Sequence, residues 1–281
     1  MSETNVTKPL VSVIVPCYNC AQYLSEALDS VYMQTLSDWE CIIIDDGSTD
    51  NTKQIALSYT QKDSRFKYIY QTNKGVSSAR NAGIRNSVSK YILPLDADDK
   101  IATEYLKEAT NILAKEPGIK LVYAKGEYFG KVKREMNEQP FSIRKLLIEN
   151  IIFCSAVFKR EDFNKTTGYS EDMVEGLEDW EFWVSFLNES DRVFQIPHVR
   201  FYYRIRDNSR NPLNGSEVQR KLRRQVYEKH KELYDKYFYL PDVIYDYYLS
   251  DNNLKSIKQS YSHLIGNLIT SPFRIFKQLF R

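Results

Sequence analysis

The sequence has little cysteine, no long apolar run and almost no net charge. Four cysteines among 281 residues are too few and too scattered for a disulfide framework. No run of about 18 or more apolar residues occurs, so we expect no membrane-spanning helix. The N-terminal stretch MSETNVTKPL has no apolar signal segment, which favours a cytoplasmic location.

The net charge of +2 argues against a nucleic-acid-binding protein. This average hides an asymmetry, because residues 201–281 carry 15 Lys and Arg against 8 Asp and Glu, whereas residues 1–200 carry 24 against 29. We therefore expect the two parts to have different partners or roles. A hydrophobic content of 42% in a chain of this length supports one main core.

Apolar strand-like runs alternate with helix-like segments through the first hundred residues. Helical periodicity is clearest in AQYLSEALDSVY, where Leu24, Ala27, Leu28 and Val31 form one stripe. The predicted strands are Val11–Val15, Cys41–Ile44, Phe66–Tyr70 and Tyr91–Leu95, and the helices after the second and third are Thr52–Tyr59 and Ser77–Ser87. This alternation predicts an α/β fold with a mostly parallel sheet flanked by helices.

Polar segments follow three of these strands. They read PCYN at 16–19, DDGSTD at 45–50 and DADD at 96–99. An open parallel sheet binds its ligands beyond the carboxyl ends of its strands, so we expect the three segments to share one edge. Two acidic clusters there would repel each other, and a divalent cation is the simplest offset. Asp96 and Asp98, one residue apart, are the candidate carboxylates for magnesium or manganese.

Five motifs in order resemble the family 2 glycosyltransferases. They are VSVIVPCYN, IIIDDGSTD, NKGVSSARNAGI, LPLDADD and GLEDWEFWVSF, within residues 10 to about 205. The resemblance implies a GT-A fold, a nucleotide-sugar donor and inversion of the anomeric centre. We expect a catalytic domain over 9–210, between a disordered N-terminus at 1–8 and a C-terminal helical extension at 211–281.

The resemblance also implies roles for individual residues. Pro16 and Tyr18 are expected against the nucleotide base, and Asp46 is expected to accept a hydrogen bond from a uracil-like imide. Arg80 would help to hold the nucleotide. Asp96 would lie near the ribose and the metal.

Two further carboxylates carry the reaction in this interpretation. The resemblance implies that Asp98 binds the metal and that Asp179 is the general base. Glycosyl transfer needs both functions, since a diphosphate must leave while an attacking hydroxyl loses its proton. Trp180, Trp183, Val184 and Leu187 form a predicted buried stripe that would fix Asp179 at a helix start.

One segment departs from the pattern of the family. Many relatives have Tyr-Arg-x-His near the end of the catalytic domain, whereas this chain has arginine in place of the histidine at Tyr203–Arg206. Arginine cannot ligate a metal, but its guanidinium can pair with phosphate. We therefore predict that Arg204 or Arg206 contacts the diphosphate; a basic loop face is equally consistent with the sequence.

Simpler interpretations remain open for several motifs. DDGSTD is also typical of a turn followed by a helix cap, LEDWEFW of an ordinary helix start, and Arg80 of a solvated surface charge. Cys17 and Cys20 form a CxxC pair that by itself suggests redox chemistry or half a zinc site. The sequence has no second CxxC, and the pair lies inside the predicted nucleotide-binding loop, so we assign it neither role.

The region after residue 214 has no recognisable catalytic motif. Val218, Leu222, Val226 and Leu233 predict one long basic helix. The amphipathic tail at 263–281 mixes apolar and basic residues, which suits an anionic membrane surface at the inner face of the cell membrane. Packing of this tail on the protein's own core, or on a second subunit in a homodimer, is equally consistent.

The leading functional prediction is a metal-dependent inverting glycosyltransferase. It would use a UDP-sugar to extend a saccharide or lipid-linked saccharide in surface or capsular polysaccharide synthesis. The alternative is a non-catalytic nucleotide-sugar-binding protein of the same fold, although the presence of Asp179 argues against it. A nucleotidyltransferase or dehydrogenase is disfavoured, because PCYNCAQYL is not a glycine-rich phosphate loop. Loops at 126–140 and 171–176 are expected to select the donor sugar and the acceptor.

Overall fold

The computed structural model describes residues 8–136, 140–206 and 217–238. The chain divides into two compact units, Met1–Asn211 and Pro212–Arg281. The predicted disordered N-terminus lies almost wholly outside the described residues, and the amphipathic tail lies entirely outside them. Among the helices of the described residues, none has the length and apolar character needed to cross a membrane.

The first unit alternates strands and helices. Its strands are β1 (Val11–Cys17), β2 (Trp39–Asp46), β3 (Phe66–Gln71), β4 (Tyr91–Pro94), β5 (Lys100–Ile101), β6 (Ile119–Gly130), β7 (Arg134–Glu135), β8 (Val157–Lys159) and β9 (Arg192–Ile205). Its helices are α1 (Ala21–Tyr32), α2 (Thr52–Lys62), α3 (Val76–Arg85), α4 (Tyr105–Lys115), α5 (Ile143–Ile148), α6 (Arg160–Phe163) and α7 (Glu178–Phe186).

The strands form one mixed sheet in the order β3-β2-β1-β4-β8-β6-β9-β5, with β7 paired to β6. The predicted strands correspond to β1–β4, and all of these pair in parallel. The α/β prediction is therefore confirmed. Antiparallel pairing begins where β8 lies between β4 and β6 and recurs at β5 and β7.

Burial explains why the first strands read as unbroken apolar runs. Every residue of β1, β2 and β4 is buried, because helices cover the sheet. On α1 the buried residues are the predicted stripe Leu24, Ala27, Leu28 and Val31. Helix α3 lies so close to β1 and β2 that a Cβ on Gly83 would collide with Ile14. A glycine in the NAGI motif therefore allows close packing of helix on sheet.

The second unit contains two described helices, α8 (Glu217–Lys229) and α9 (Lys231–Tyr237). The prediction of one long helix is wrong at His230, whose backbone leaves helical geometry with φ −122° and ψ 28°. An edge-to-face contact between Tyr227 and Tyr234, with ring centroids 5.3 Å apart, joins the two helices. Leu222 and Val226 on α8 are buried as the periodicity indicated.

Candidate active site

The loops after β1 and β2 are linked to each other by side-chain hydrogen bonds. Asn19 Oδ1 accepts from the Thr49 backbone N–H at 2.8 Å, and the Ser48 hydroxyl accepts from the Asn19 N–H at 3.0 Å. Asp50 Oδ2 accepts from the N–H of Ala21 at the start of α1. Asn19 has φ +51°, a left-handed conformation that asparagine tolerates better than most residues. Hydrogen bonds therefore connect the PCYN and DDGSTD segments, and Tyr18, within PCYN, is 39% exposed.

Asp46 lies at the carboxyl end of β2 and is 3% exposed. Its Oδ1 accepts from Gln71 Nε2 at 2.7 Å and from the Lys74 N–H at 2.9 Å. Its Oδ2 accepts from the Gly75 N–H at 2.9 Å. Asp46 thus holds the β3–α3 loop in place. This role is separate from its predicted contact with a nucleotide base.

Arg80 joins two carboxylates that are far apart in sequence. The guanidinium is 1% exposed and donates to Asp96 Oδ1 at 2.7 Å and to Glu178 Oε1 at 2.9 Å. Burial favours the neutral acid, but attraction and hydrogen bonding from Arg80 outweigh it and lower the pKa of Asp96. Arg80 is therefore a buried structural cation of the site rather than a solvated surface charge.

The other two acids of the DADD motif have different environments. Burial and the charge of Asp96 raise the pKa of Asp98, whose Oδ2 lies 2.5 Å from Arg206 Nη2. Burial and both neighbouring carboxylates raise the pKa of Asp99 well above its usual range. Asp99 Oδ2 is buried and has no hydrogen-bond partner among the described residues.

Arg204 forms hydrogen bonds to the loop that carries the DADD motif. Its backbone N–H donates to Asp99 Oδ1 at 2.8 Å, and its Nε donates to the Asp98 carbonyl at 2.7 Å. Its Nη2 pairs with Glu26 on α1, which also pairs with Lys100 at 2.6 Å. Of the two arginines proposed for the diphosphate, Arg206 is the one whose guanidinium lies at the carboxylate of Asp98.

Asp179 is the second residue of α7. The residue before the helix, Leu177, has φ +60°, a left-handed conformation that is unusual for a bulky side chain. Asp179 Oδ1 accepts from the Trp180 N–H at 2.8 Å, and Oδ2 accepts from Asn150 Nδ2 at 2.8 Å. Burial, followed by repulsion from Glu178, raises the pKa of Asp179 to about 7. The carboxyl group can thus gain and lose a proton near neutral pH.

The predicted buried stripe on α7 is present, since Trp180, Trp183, Val184 and Leu187 are each at most 2% exposed. Pro16 lies near the end of β1, in register with Ile44 of β2, and Tyr18 is the first residue after β1. Cys17 is buried in the main core and Cys20 is half-buried, and both are free thiols. Glu178, Asn150 and Glu26 were not predicted from the sequence, because nothing in their spacing indicates partners up to 178 residues away.

Among the described residues, no three His, Cys, Asp or Glu side chains form a complete metal centre. The donor set nevertheless fits a hard divalent ion in part. Asp98 offers carboxylate oxygens, which such an ion prefers. The carboxylate already pairs with a cation, the guanidinium of Arg206. A shell completed by diphosphate oxygens and water suits such a site.

The profile of Glycosyl transferase family 2 matches residues 12–227, a range that includes all the candidate site residues described above. The chain belongs to this family. The uncharacterized glycosyltransferase EpsJ of Bacillus subtilis is 31% identical over 72% of the chain and 62% of its own length. Escherichia coli chondroitin synthase is 30% identical over 63% of the chain and 26% of its own length. The chain thus spans about three-fifths of EpsJ and a smaller share of chondroitin synthase.

A solved structure of a GT-A glycosyltransferase has the same fold. S. aureus TarS, determined with UDP-GlcNAc, superimposes with a TM-score of 0.64 at 21% identity, over 77% of the chain and 65% of that structure. The GT-A fold expected for this family 2 member is therefore confirmed.

Proposed function

We propose that this family 2 member is a metal-dependent inverting glycosyltransferase that uses a UDP-sugar. The observation that carries the proposal is the contact of one buried arginine, Arg80, with both Asp96 and Glu178. The contact connects Asp96, the donor-side carboxylate predicted to lie near the ribose and the metal, to Glu178, which is adjacent to Asp179. An enzyme that transfers a sugar from a donor to an acceptor needs the groups that bind the donor and the group that activates the acceptor at fixed positions relative to each other.

Asp179 is the proposed general base. An acceptor hydroxyl attacks the anomeric carbon, the bond from that carbon to the diphosphate oxygen breaks, and the leaving oxygen keeps the electron pair. The hydroxyl proton passes to Asp179, whose pKa of about 7 allows it to be ionised beforehand at neutral pH. A single displacement of this kind inverts the anomeric centre.

Asp98, with Asp96 beside it, would hold the divalent ion, which when bound neutralises charge on the leaving diphosphate. Arg206, which pairs with Asp98 at 2.5 Å, can pair with phosphate oxygens once the carboxylate of Asp98 is taken by the ion. Pro16, Tyr18 and Asp46 form the edge at which we propose that the nucleoside binds.

The choice of donor and acceptor is supported by relatives. TarS binds UDP-GlcNAc, which supports a UDP-sugar donor. Similarity to chondroitin synthase supports a saccharide acceptor, free or lipid-linked, in polysaccharide synthesis.

The test is a screen of UDP- and GDP-sugars for release of nucleoside diphosphate, with Mn²⁺, Mg²⁺ or EDTA. The proposal expects one UDP-sugar to be hydrolysed slowly and EDTA to abolish the release. Binding of nucleotide sugars without turnover of any of them, including after addition of oligosaccharide acceptors, would instead support the non-catalytic alternative.

A further inference from the structure

Asn150 contacts the carboxylate of the proposed base directly. Its Nδ2 donates to Asp179 Oδ2, while the Trp180 backbone N–H donates to Oδ1, both at 2.8 Å. Each carboxylate oxygen therefore has one donor, and the two donors together fix the rotation of the carboxylate plane. Only the remaining lone pairs are available to an incoming hydroxyl group.

The segment that carries Asn150 is anchored independently of this contact. Trp180 Nε1 donates to the Leu146 carbonyl at 2.5 Å, which joins α7 to α5 just before Asn150. The Asn150 Oδ1 accepts from the Ile152 N–H at 3.4 Å, so the amide presents its nitrogen to Asp179. Asn150 itself is exposed, which places the contact at the protein surface beside a half-buried carboxylate.

The same segment also contacts the donor side of the site. Cys154 Sγ lies 3.4 Å from Asp96 Oδ2 and donates to it, and Tyr105 holds the next residue through a 2.7 Å hydrogen bond to the Ser155 carbonyl. Residues 150–154 therefore reach from the proposed base to the donor-side carboxylate. This is a second connection between the two, besides Arg80 and Glu178.

We propose that Asn150 is a positioning residue that orients Asp179 toward the acceptor hydroxyl and favours its ionised form. The inference rests on the proposed role of Asp179 as the base. A neutral amide suits this task, because it stabilises the carboxylate without competing for the proton that the carboxylate must accept.

Charged and titratable groups surround Asp179 from several elements. Burial, followed by Glu178 and Asp96, raises the pKa of Asp179, and Arg80 lowers it. The Cys154 thiol and the Tyr169 hydroxyl also face it, and burial keeps both protonated. Removing the Asn150 amide takes away a donor to the ionised form, so the pKa of Asp179 should rise further.

The test is NMR titration of the protein labelled with ¹³Cγ-aspartate, in which Asp179→Asn identifies the Asp179 signal. We expect a midpoint near 7 in the wild type. In Asn150→Ala it should rise by about one pH unit, the equivalent of one hydrogen bond to a charged group. In Asn150→Asp it should rise more, because the new carboxylate repels the ionised base.

Asn86→Ala is the matched control, since Asn86 is also exposed and donates through Nδ2, but to the Ala82 carbonyl on α3. Its midpoint should equal that of the wild type. An unchanged or lowered Asp179 midpoint in Asn150→Ala would overturn the inference.

Turnover of the best sugar nucleotide from the screen separates the two proposals. If Asp179→Asn abolishes turnover while the Asp179 midpoint does not depend on Asn150, only the positioning role fails. If Asp179→Asn retains turnover, the base assignment itself fails, and the positioning role fails with it.

Discussion

Arg206 Nη2 lies 2.5 Å from Asp98 Oδ2, so the carboxylate proposed to bind a metal already has a cation beside it. A divalent ion and the guanidinium would both use that oxygen. Metal binding at this oxygen therefore competes with Arg206, and a diphosphate offers the guanidinium a new partner.

The first prediction is that Arg206→Gln tightens binding of Mn²⁺ to the nucleotide-free protein by about two- to fivefold. The reason is that a partly exposed ion pair contributes about 0.5–1 kcal/mol, which the ion no longer has to overcome. Free Mn²⁺ measured by electron paramagnetic resonance reports the affinity. Arg200→Gln removes an ion pair with Glu108 of similar length, 2.9 Å, and should leave the affinity unchanged. Weaker Mn²⁺ binding by Arg206→Gln would contradict the competition.

The second prediction concerns Asp98 itself. Asp98→Ala should weaken UDP binding in Mn²⁺ far more than in EDTA, because the side chain acts through the metal ion and does not contact the uracil ring. Calorimetric titration of UDP in the two buffers measures the difference. Equal losses in both buffers would show that Asp98 contacts the nucleotide without a metal.

Strands β1, β2 and β4 were predictable because burial on both faces requires unbroken apolar runs. Helix α1 begins and ends where AQYLSEALDSVY does, since its stripe has a clear helical period. The strands β5 and β7, by contrast, have two residues each, and β8 has three. Segments so short contain no alternation to detect, and the register shifts between β6 and β9 disrupt any that longer strands would show.

Members of the candidate site could be proposed from the sequence only one residue at a time. Asp96, Asp98 and Asp179 were proposed from local motifs, whereas the contact of Arg80 with Glu178 joins residues 98 positions apart. No local pattern encodes such a pair. The left-handed backbone at Leu177 could likewise not be predicted from the sequence, because leucine has no preference for that conformation.

The third prediction follows from the burial of Arg80. Arg80→Met should lower the free energy of unfolding by about 3 kcal/mol, because it leaves Asp96 and Glu178 without their cation. Urea unfolding followed by circular dichroism gives the value. Arg85→Met, at an exposed position on the same helix, should stay within about 0.5 kcal/mol of the wild type.

The Arg80 effect should depend on pH in a defined direction. Arg80 lowers the pKa of Asp96, so the stabilisation is present above the ordinary pKa of aspartate and is lost as the pH falls through the lower, folded value. The difference between wild type and Arg80→Met should therefore shrink in acid. A loss of less than about 1 kcal/mol at neutral pH would mean that the network is not a stabilising feature of the fold.

The fourth prediction is that Asp179→Asn raises the thermal unfolding midpoint at pH 8. The folded pKa of Asp179 is raised from 3.8 to about 7, so its ionised form destabilises the folded protein fully above pH 7 and progressively less as the pH falls. Asparagine keeps the shape and removes the charge next to Glu178. The gain should be larger at pH 8 than at pH 5, and an equal gain at both would indicate a packing effect.

The last prediction separates catalysis from binding. Asp179→Asn cannot accept a proton, so sugar transfer should fall by roughly 10²- to 10⁴-fold, the usual contribution of a positioned base. Donor affinity, measured by calorimetry, should hardly change, because a base that acts on the acceptor leaves the nucleotide edge intact. With an α-linked donor, the wild-type product should be β-linked, since one displacement inverts the centre. An α-linked product, or full activity of Asp179→Asn, would mean that Asp179 is not the base and that another group takes the proton.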